Sequence, residues 1–598
     1  MNRERSKSAM WGRIFLTVCA LLIGASLAFA GTHKMSNDLA GKKSSDMVNV
    51  IVQFNQVPTS RHHQKVADRG GKLRRQLGRF RGAAYSIPAS QLASLAADPE
   101  VTYISPDRPL SAASTGSPTA ILDYHTDAVN APAAWAQGLD GTGVGVAIID
   151  SGIADLADIH GKKKSGNSNV VYSQDFTGAP AGKTVDQYGH GTHVAGIIAG
   201  SGAASTGANN FYTFQGIAGN ANLINLRVLD QNGAGTDSEV IAAIQTAIQL
   251  QSTYNIRVIS LSVGRPVYES YTQDPLCQAV EQAWQAGIVV VVAAGNYGRD
   301  NLAGTNGYGT ITAPGNDPYA ITVGAVNTEG TADRTDDVPA SYSSKGPTVI
   351  DQVVKPDLVA PGNAVISLYT PGETLDQETP GNEVPFSAFQ TNGSNASSGT
   401  YYMLSGTSMA APMVSGAAAL MLQQNPNLTP DQVKARLMKT AFKGFVQSST
   451  ATDAATGQTF SEQADIFTVG AGELDIQAAL ANTDLAPAMA GSALSPLAAV
   501  DSNGNVDLVV NGSSILGGGG DIILWGSSAV WGDNIILWGS SAPGSDIILW
   551  GSSGLANDII LWGSSLPGGD GIILWGSSTP GGDIILWGSN NPAAVKDK

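Results

Sequence analysis

Val144-Gly145-Val146-Ala147-Ile148-Ile149-Asp150-Ser151-Gly152 is an apolar run that ends in a carboxylate and a turn. A strand apolar on both faces belongs inside a parallel sheet covered by helices. Residues 223–229, 257–263, 288–294 and 320–325 have the same character. Helical patterns separate these runs and carry start signals. Thr236 with Glu239 stands ahead of Val240, Ile241, Ile244 and Ile248, and Thr429-Pro430 is followed by Gln432. Strands alternating with helices from about residue 120 to 482 predict an α/β fold with a doubly wound, mostly parallel sheet. Sites in such sheets form beyond the carboxyl ends of the strands, where Asp150 stands.

A lone acid there could simply cap the next turn. Two further motifs change its meaning. In Gly189-His190-Gly191-Thr192-His193-Val194-Ala195-Gly196, glycines permit close backbone approach and a helix then begins, projecting His190 toward the sheet edge. The pair His190 and His193 lacks a nearby Glu or Cys to complete a zinc pattern, so His193 reads as a structural neighbour. In Ser405-Gly406-Thr407-Ser408-Met409-Ala410-Ala411-Pro412, followed by Gly416 to Ala419, a small-residue helix presents Ser408 at its start. A serine there can be a plain helix cap. The same helix start also offers backbone N–H groups and a positive dipole end, which suit an oxyanion.

Taken together, these motifs resemble the subtilisin-like serine peptidases over most of residues 120–482, in that family's order of Asp, His and Ser. The resemblance implies that Ser408 is the nucleophile and His190 the general base and then acid, with Asp150 orienting His190. It places Asn296, in Ala293-Ala294-Gly295-Asn296, in the oxyanion hole. It makes Ser260, Leu261, Ser262, Val263 and Gly264 the strand that pairs with an extended substrate. Val263 departs from the family's usual pattern at that strand. No cofactor is required for the chemistry, and the histidine base implies activity at neutral to alkaline pH. Residues 48–108 look like the family's inhibitory propeptide, with a maturation cut between about 110 and 117.

Outward from this domain, the first 30 residues read as an export signal. Arg3, Arg5, Lys7 and Arg13 precede an apolar stretch ending in Ala28-Phe29-Ala30, which predicts a secreted, bacterially exported protein. After a linker at 31–47, the unit at 48–108 has an α+β pattern. It includes a basic helical stretch and is basic through Arg61, Lys65, Arg69, Lys72, Arg74, Arg75, Arg79 and Arg81, and its charge suits docking onto the acidic remainder of the chain. The Gly-, Pro-, Ser- and Asn-rich stretch 370–400 reads as a surface insertion. A second linker at 483–514 leads to a tail at 515–592 that repeats Asp-Ile-Ile-Leu-Trp-Gly-Ser-Ser, with tryptophans from Trp525 to Trp587 every 12 or 13 residues. Such repeats predict stacked short strands, as in a β-solenoid. Its functional readings are a structural extension or a strip that contacts a cell surface or polysaccharide.

The formal charge of −16 argues against nucleic acid as a partner and leaves room for structural calcium, though the metal ligands are unknown. Protein or peptide substrates and the chain's own propeptide are the expected partners. Of the two cysteines, Cys19 lies in the export signal. Cys277 lies in a helical apolar pattern with Val280, Ala283 and Trp284, which indicates packing rather than a disulfide. The contrasting reading is a catalytically inactive subtilisin-like fold that serves as a surface adhesin through its repeats. Intact Asp150, His190, Asn296 and Ser408 weigh against it.

Overall fold

The computed structural model describes residues 34–514 except 40–41, 113–122, 162–166, 179–184, 303, 447, 454–455, 501–505 and 511–512, and describes five short strands beyond them. The export signal at 1–30 lies outside the described residues. Among those described, no helix is long and apolar enough to cross a membrane.

The chain divides into two compact units, the first running to Pro106. That unit is a four-stranded antiparallel sheet in the order Lys72–Leu77, Gly82–Pro88, Met47–Phe54, Val101–Pro106. Helices Ser60–Ala67 and Leu92–Ala96 accompany it, and Val66 and Leu95 enter its core with Val50, Val52, Tyr85, Ile87 and Ile104. Two expectations are corrected here. The basic stretch is not one helix, because Lys72, Arg74 and Arg75 stand on the strand Lys72–Leu77. That strand is at the sheet edge, where long basic side chains reach water and discourage pairing with another chain. The stretch read as a linker at 31–47 also contributes to the unit. Met35 bridges Ile104 and Leu39 is buried in the core, since even an isolated apolar side chain gains by joining a nearby core.

The second unit holds the expected doubly wound sheet. Its eight strands run in the order Val338–Pro339, Ile321–Asn327, Val289–Ala293, Ile256–Leu261, Gly145–Asp150, Asn222–Arg227, Val170–Asp175, with Leu358–Pro361 also paired to Ile321–Asn327. All pairings are parallel except that of the short edge strand Val338–Pro339. The central strand Gly145–Asp150 comes first in the chain, with later strands added on both sides. Asp150 is therefore at the point where the winding reverses, the place such sheets leave a crevice.

Helix Thr407–Gln424 packs against several of these strands, and its residues 407–422 are all buried. Small side chains make this close approach feasible. A Cβ on Gly416 would lie 2.6 Å from Cβ of Ile217. Helix Asp237–Tyr254 starts as its sequence signals: the N–H of Thr236 donates to Oε2 of Glu239 at 2.9 Å. The Thr429–Gln432 pair likewise closes reciprocal bonds of 3.0 and 3.3 Å at the start of Pro430–Thr440.

Stretch 370–400 is more than a surface loop, which corrects the reading from composition. It forms the short helix Thr374–Glu378 and the strands Glu383–Pro385 and Ser397–Leu404, the last paired with Val365–Leu368. Leu375, Val384 and Phe389 are buried, so a few apolar anchors fold an otherwise polar segment. The supposed linker at 483–514 is partly packed as well: Ser495 is buried, accepts from Nζ of Lys434 at 2.9 Å, and donates to Oδ1 of Asp357 at 2.5 Å.

In the tail, Ile535–Leu537, Ile559–Trp562 and Ile584–Trp587 pair in parallel, as do Ile547–Trp550 and Ile572–Trp575. The paired strands are two repeats apart, so consecutive repeats belong to different sheets.

Candidate active site

Asp150 ends the central strand, opposite Arg227 in the register. Its backbone carbonyl accepts from the N–H of Val228 at 2.8 Å and of Leu229 at 3.2 Å, which fixes the strand end. Its Oδ1 accepts from the N–H of Ser151 at 2.7 Å and lies 2.8 Å from Nδ1 of His190. Both side chains are buried, 1% and 0% exposed, so this contact is shielded from water.

His190 is the first residue of helix His190–Ala199, entered through Gly189 at φ 105°. The left-handed φ of Gly189 favours glycine there, and a Cβ on Gly191 would lie 2.2 Å from the carbonyl oxygen of Gly152, so Gly191 is required by space. Asp186 completes the turn. Its Oδ1 accepts from the N–H of Gly189 at 2.8 Å, and its Oδ2 from the N–H and Oγ1 of Thr192 at 2.8 and 2.7 Å. Reading the sequence alone missed Asp186. Its signal was an acid placed four residues before a histidine at a helix start, where a carboxylate satisfies the unpaired N–H groups. The stretch 370–400 holds the same turn from outside, since the N–H groups of Thr374 and Leu375 donate to the carbonyls of Gln187 and Tyr188 at 3.1 and 3.0 Å.

Burial pulls the His190 pKa down. The charge of Asp150, the hydrogen bond to its carboxylate and the charge of Asp186 outweigh that, so the net value is raised above 6.5. The role of general base expected of His190 calls for a neutral imidazole, which forms only as pH rises through the raised value. The rising limb of kcat/KM against pH is therefore expected above pH 6.5, and Asp186→Asn should move it toward acid. A limb that stays in place in that variant would remove Asp186 from this role.

Ser408 is the second residue of its helix and is fully buried. Its Oγ donates to the carbonyl of Ser262 at 3.2 Å, and Oγ of Ser262 donates to the carbonyl of Ser408 at 3.1 Å. Nε2 of His190 has no hydrogen-bond partner among the described residues. Asp150 and His190 are thus joined, whereas Ser408 is bonded to Ser262 and not to His190.

Asn296 follows the strand Val289–Ala293 after Gly295, whose φ is 105°. Its Oδ1 accepts from the N–H of Thr407 at 2.9 Å and from Oγ1 of Thr407 at 3.0 Å, while Oγ1 of Thr407 also accepts from the N–H of Gly295 at 3.1 Å. With the amide oxygen so held, the NH₂ end is turned the other way as the donor. Thr407, also missed from the sequence, therefore ties the Asn296 loop to the start of the Ser408 helix.

The expected substrate strand divides between Ile256–Leu261 in the main sheet and a separate pair, Val263–Gly264. Strand Pro109–Ala112 lies antiparallel between Val263–Gly264 and Ala234–Thr236, with Ala112 opposite Val263 and Ser111 opposite Gly264. The chain's own segment is thus the middle strand of a small three-stranded sheet.

His193 is buried, with Nε2 3.1 Å from the carbonyl of Tyr402. Burial drops its pKa to about 3, so it is a neutral packing residue. Cys277 is buried too, donating to Oδ1 of Asn316 at 3.3 Å, and burial holds its thiol pKa well above 9. Among the described residues, no group of three His, Cys, Asp or Glu side chains is placed to hold a metal ion.

Comparison with known proteins fits this geometry. AprX, a serine protease of Bacillus subtilis, is 40% identical over 322 residues, an alignment that takes in 53% of this chain and 65% of AprX. Subtilisin E of the same organism is 33% identical over 427 residues, covering 71% of this chain and 92% of its own length. The fold is shared with fervidolysin from Fervidobacterium pennivorans, described as a keratinolytic enzyme related to subtilisin, at a TM-score of 0.54 and 22% identity, covering 79% of this chain and 66% of that one. The subtilase family (peptidase S8) matches residues 141–472, and with those residues carrying the sheet, His190 and Ser408, the chain belongs to the subtilase family of serine endopeptidases.

Proposed function

We propose that this subtilase is a secreted endopeptidase, made as a self-processing precursor, that cuts peptide bonds through an acyl-enzyme on Ser408. The observation that carries the reading is the buried 2.8 Å contact between Asp150 and Nδ1 of His190, at the carboxyl edge of the sheet where the Ser408 helix begins. Oγ of Ser408 attacks the substrate carbonyl carbon as its proton passes to Nε2 of His190. This requires Oγ to leave Ser262. Asp150 keeps the proton of His190 on Nδ1 and stabilises the imidazolium that forms. The N–H of Ser408 and the NH₂ of Asn296 receive the developing oxyanion. His190 then gives its proton to the leaving amine, and a water activated by His190 releases the acid. The chemistry needs no cofactor.

Asn296→Ala should lower kcat by about 10²–10³-fold with little change in KM, the loss that removal of the corresponding donor causes in subtilisin itself. Steady-state kinetics on one peptide decide this, and a change confined to KM would assign Asn296 to ground-state binding.

The self-processing part rests on reading strand Pro109–Ala112, paired with Val263–Gly264, as a peptide seated in the substrate groove. Ala112 stands opposite Val263, whose neighbour in the chain, Ser262, holds Oγ of Ser408 through its carbonyl. The new amino terminus is expected within a residue or two of Ser114. The direct test is mass spectrometry of the matured chain, before and after a phosphonylating reagent specific for activated serines. One adduct on Ser408 and a terminus near Ser114 are expected, and an adduct elsewhere would overturn the assignment.

A further inference from the structure

The segment just ahead of the groove strand is held by contacts that the catalytic reading does not use. Nη1 of Arg108 donates to Oε1 of Glu269 at 2.7 Å, with the two side chains each 4% exposed. The Arg108 guanidinium also lies over the Tyr268 ring, 5.0 Å from its centroid. Next to it, Oδ1 of Asp107 accepts from the N–H of Ser238 at 3.0 Å, and its Oδ2 from Oγ of Ser238 at 2.9 Å. The carbonyl of Arg108 accepts from the N–H of Asp237 at 3.0 Å. Asp237 and Ser238 open the 18-residue helix Asp237–Tyr254, so an acid here meets the unpaired N–H groups and the positive end of the helix dipole.

The receiving groups are complementary in both sign and shape. Asp237 and Asp274 are both engaged by Arg265, at 2.9 and 2.8 Å, and Glu269 is the carboxylate bonded to the Arg108 guanidinium. A guanidinium fits a carboxylate on one side and an aromatic face on the other, which a lysine ammonium or an uncharged side chain does less well. An acid followed by an arginine, ahead of a strand that pairs with the groove, meets every one of these contacts.

We propose that Glu269, Tyr268 and the first turn at Ser238 form a recognition subsite for an Asp-Arg pair upstream of the cut bond, which registers the precursor for its own maturation and favours peptide substrates carrying that pair. The proposal rests on the peptidase reading. Burying the pair desolvates both charges, so a wrong partner leaves one of them unpaired and is rejected. The specificity therefore lies in the charge pair, whereas the neighbouring strand pairing reads only main chain.

The test is a charge exchange in the full chain, with autoprocessing followed by mass spectrometry. Arg108→Glu and Glu269→Arg are each expected to slow maturation at least about tenfold, and the double exchange to recover most of the wild-type rate. A double variant as slow as the product of the single effects would overturn the proposal. A second measurement does not depend on the variants folding. Matured wild-type enzyme is given a peptide spanning residues 105–116, or the same peptide with Arg108→Glu or Asp107→Ala. The unchanged peptide should have the higher kcat/KM by about tenfold over the Arg108→Glu form, mainly through KM. Equal kcat/KM for all three peptides would overturn the subsite while leaving the peptidase intact. Failure of the wild type to cut any peptide would instead defeat the reading on which the subsite rests.

Discussion

The Ser408→Ala precursor is expected to stay intact through residues 110–117 and to leave an unfolded protein substrate uncut. In the proposed mechanism Oγ of Ser408 forms the acyl bond, and the helix start and Asn296 only stabilise charge that its attack generates. The expected loss in kcat is roughly 10⁶-fold, the size measured when subtilisin itself loses its nucleophile. The small volume change at a site already rich in alanine should leave the fold in place, which a thermal melt can check. Residual self-cutting in the variant at the wild-type position and rate would remove Ser408 from the mechanism.

Asp150→Asn should come next in size, with a loss of about 10⁴-fold in kcat, as seen for the same exchange in a serine protease triad. An amide can turn its NH₂ toward Nδ1 of His190, which drives the ring proton to Nε2 and removes the lone pair that must accept the serine proton. The pair is buried at 2.8 Å with almost no exposure, so no solvent route restores the tautomer. Kinetics should show the fall in kcat with KM nearly unchanged. A KM effect alone would mean that Asp150 serves substrate binding.

The sheet was legible because its strands are apolar on both faces, and each of the five runs read from the sequence became a strand of one sheet. Helix starts were legible where Thr236 with Glu239 and Thr429 with Gln432 spell a local bond. The contributions of Asp186, Thr407 and stretch 370–400 were not, because their partners come from the folded turn and not from a pattern. Asp186 caps the helix of His190 across a glycine turn, and Thr407 reaches Asn296 over a separation of 111 residues. Composition misled at 370–400, where Leu375, Val384 and Phe389 count for more than the glycines and serines around them. The same limit applies at Lys72–Leu77, whose charges suggest a helix face and whose pairing with Gly82–Pro88 makes it a strand.

Cys277 has a practical consequence for measuring how this enzyme fails. The whole chain has two cysteines, and a chain beginning after residue 30 keeps Cys277 alone. In the native state its sulfur is shut behind helix and sheet, and its raised pKa withholds the thiolate that alkylating reagents attack. Only an opened molecule can react. In an uncut Ser408→Ala chain, the rate of maleimide uptake is therefore a built-in clock for opening of the region around helix Pro275–Gln285, readable in native buffer with no denaturant. It would tell whether heat inactivates the enzyme by loosening this part of the fold or by damage at the catalytic groups while the thiol stays sealed.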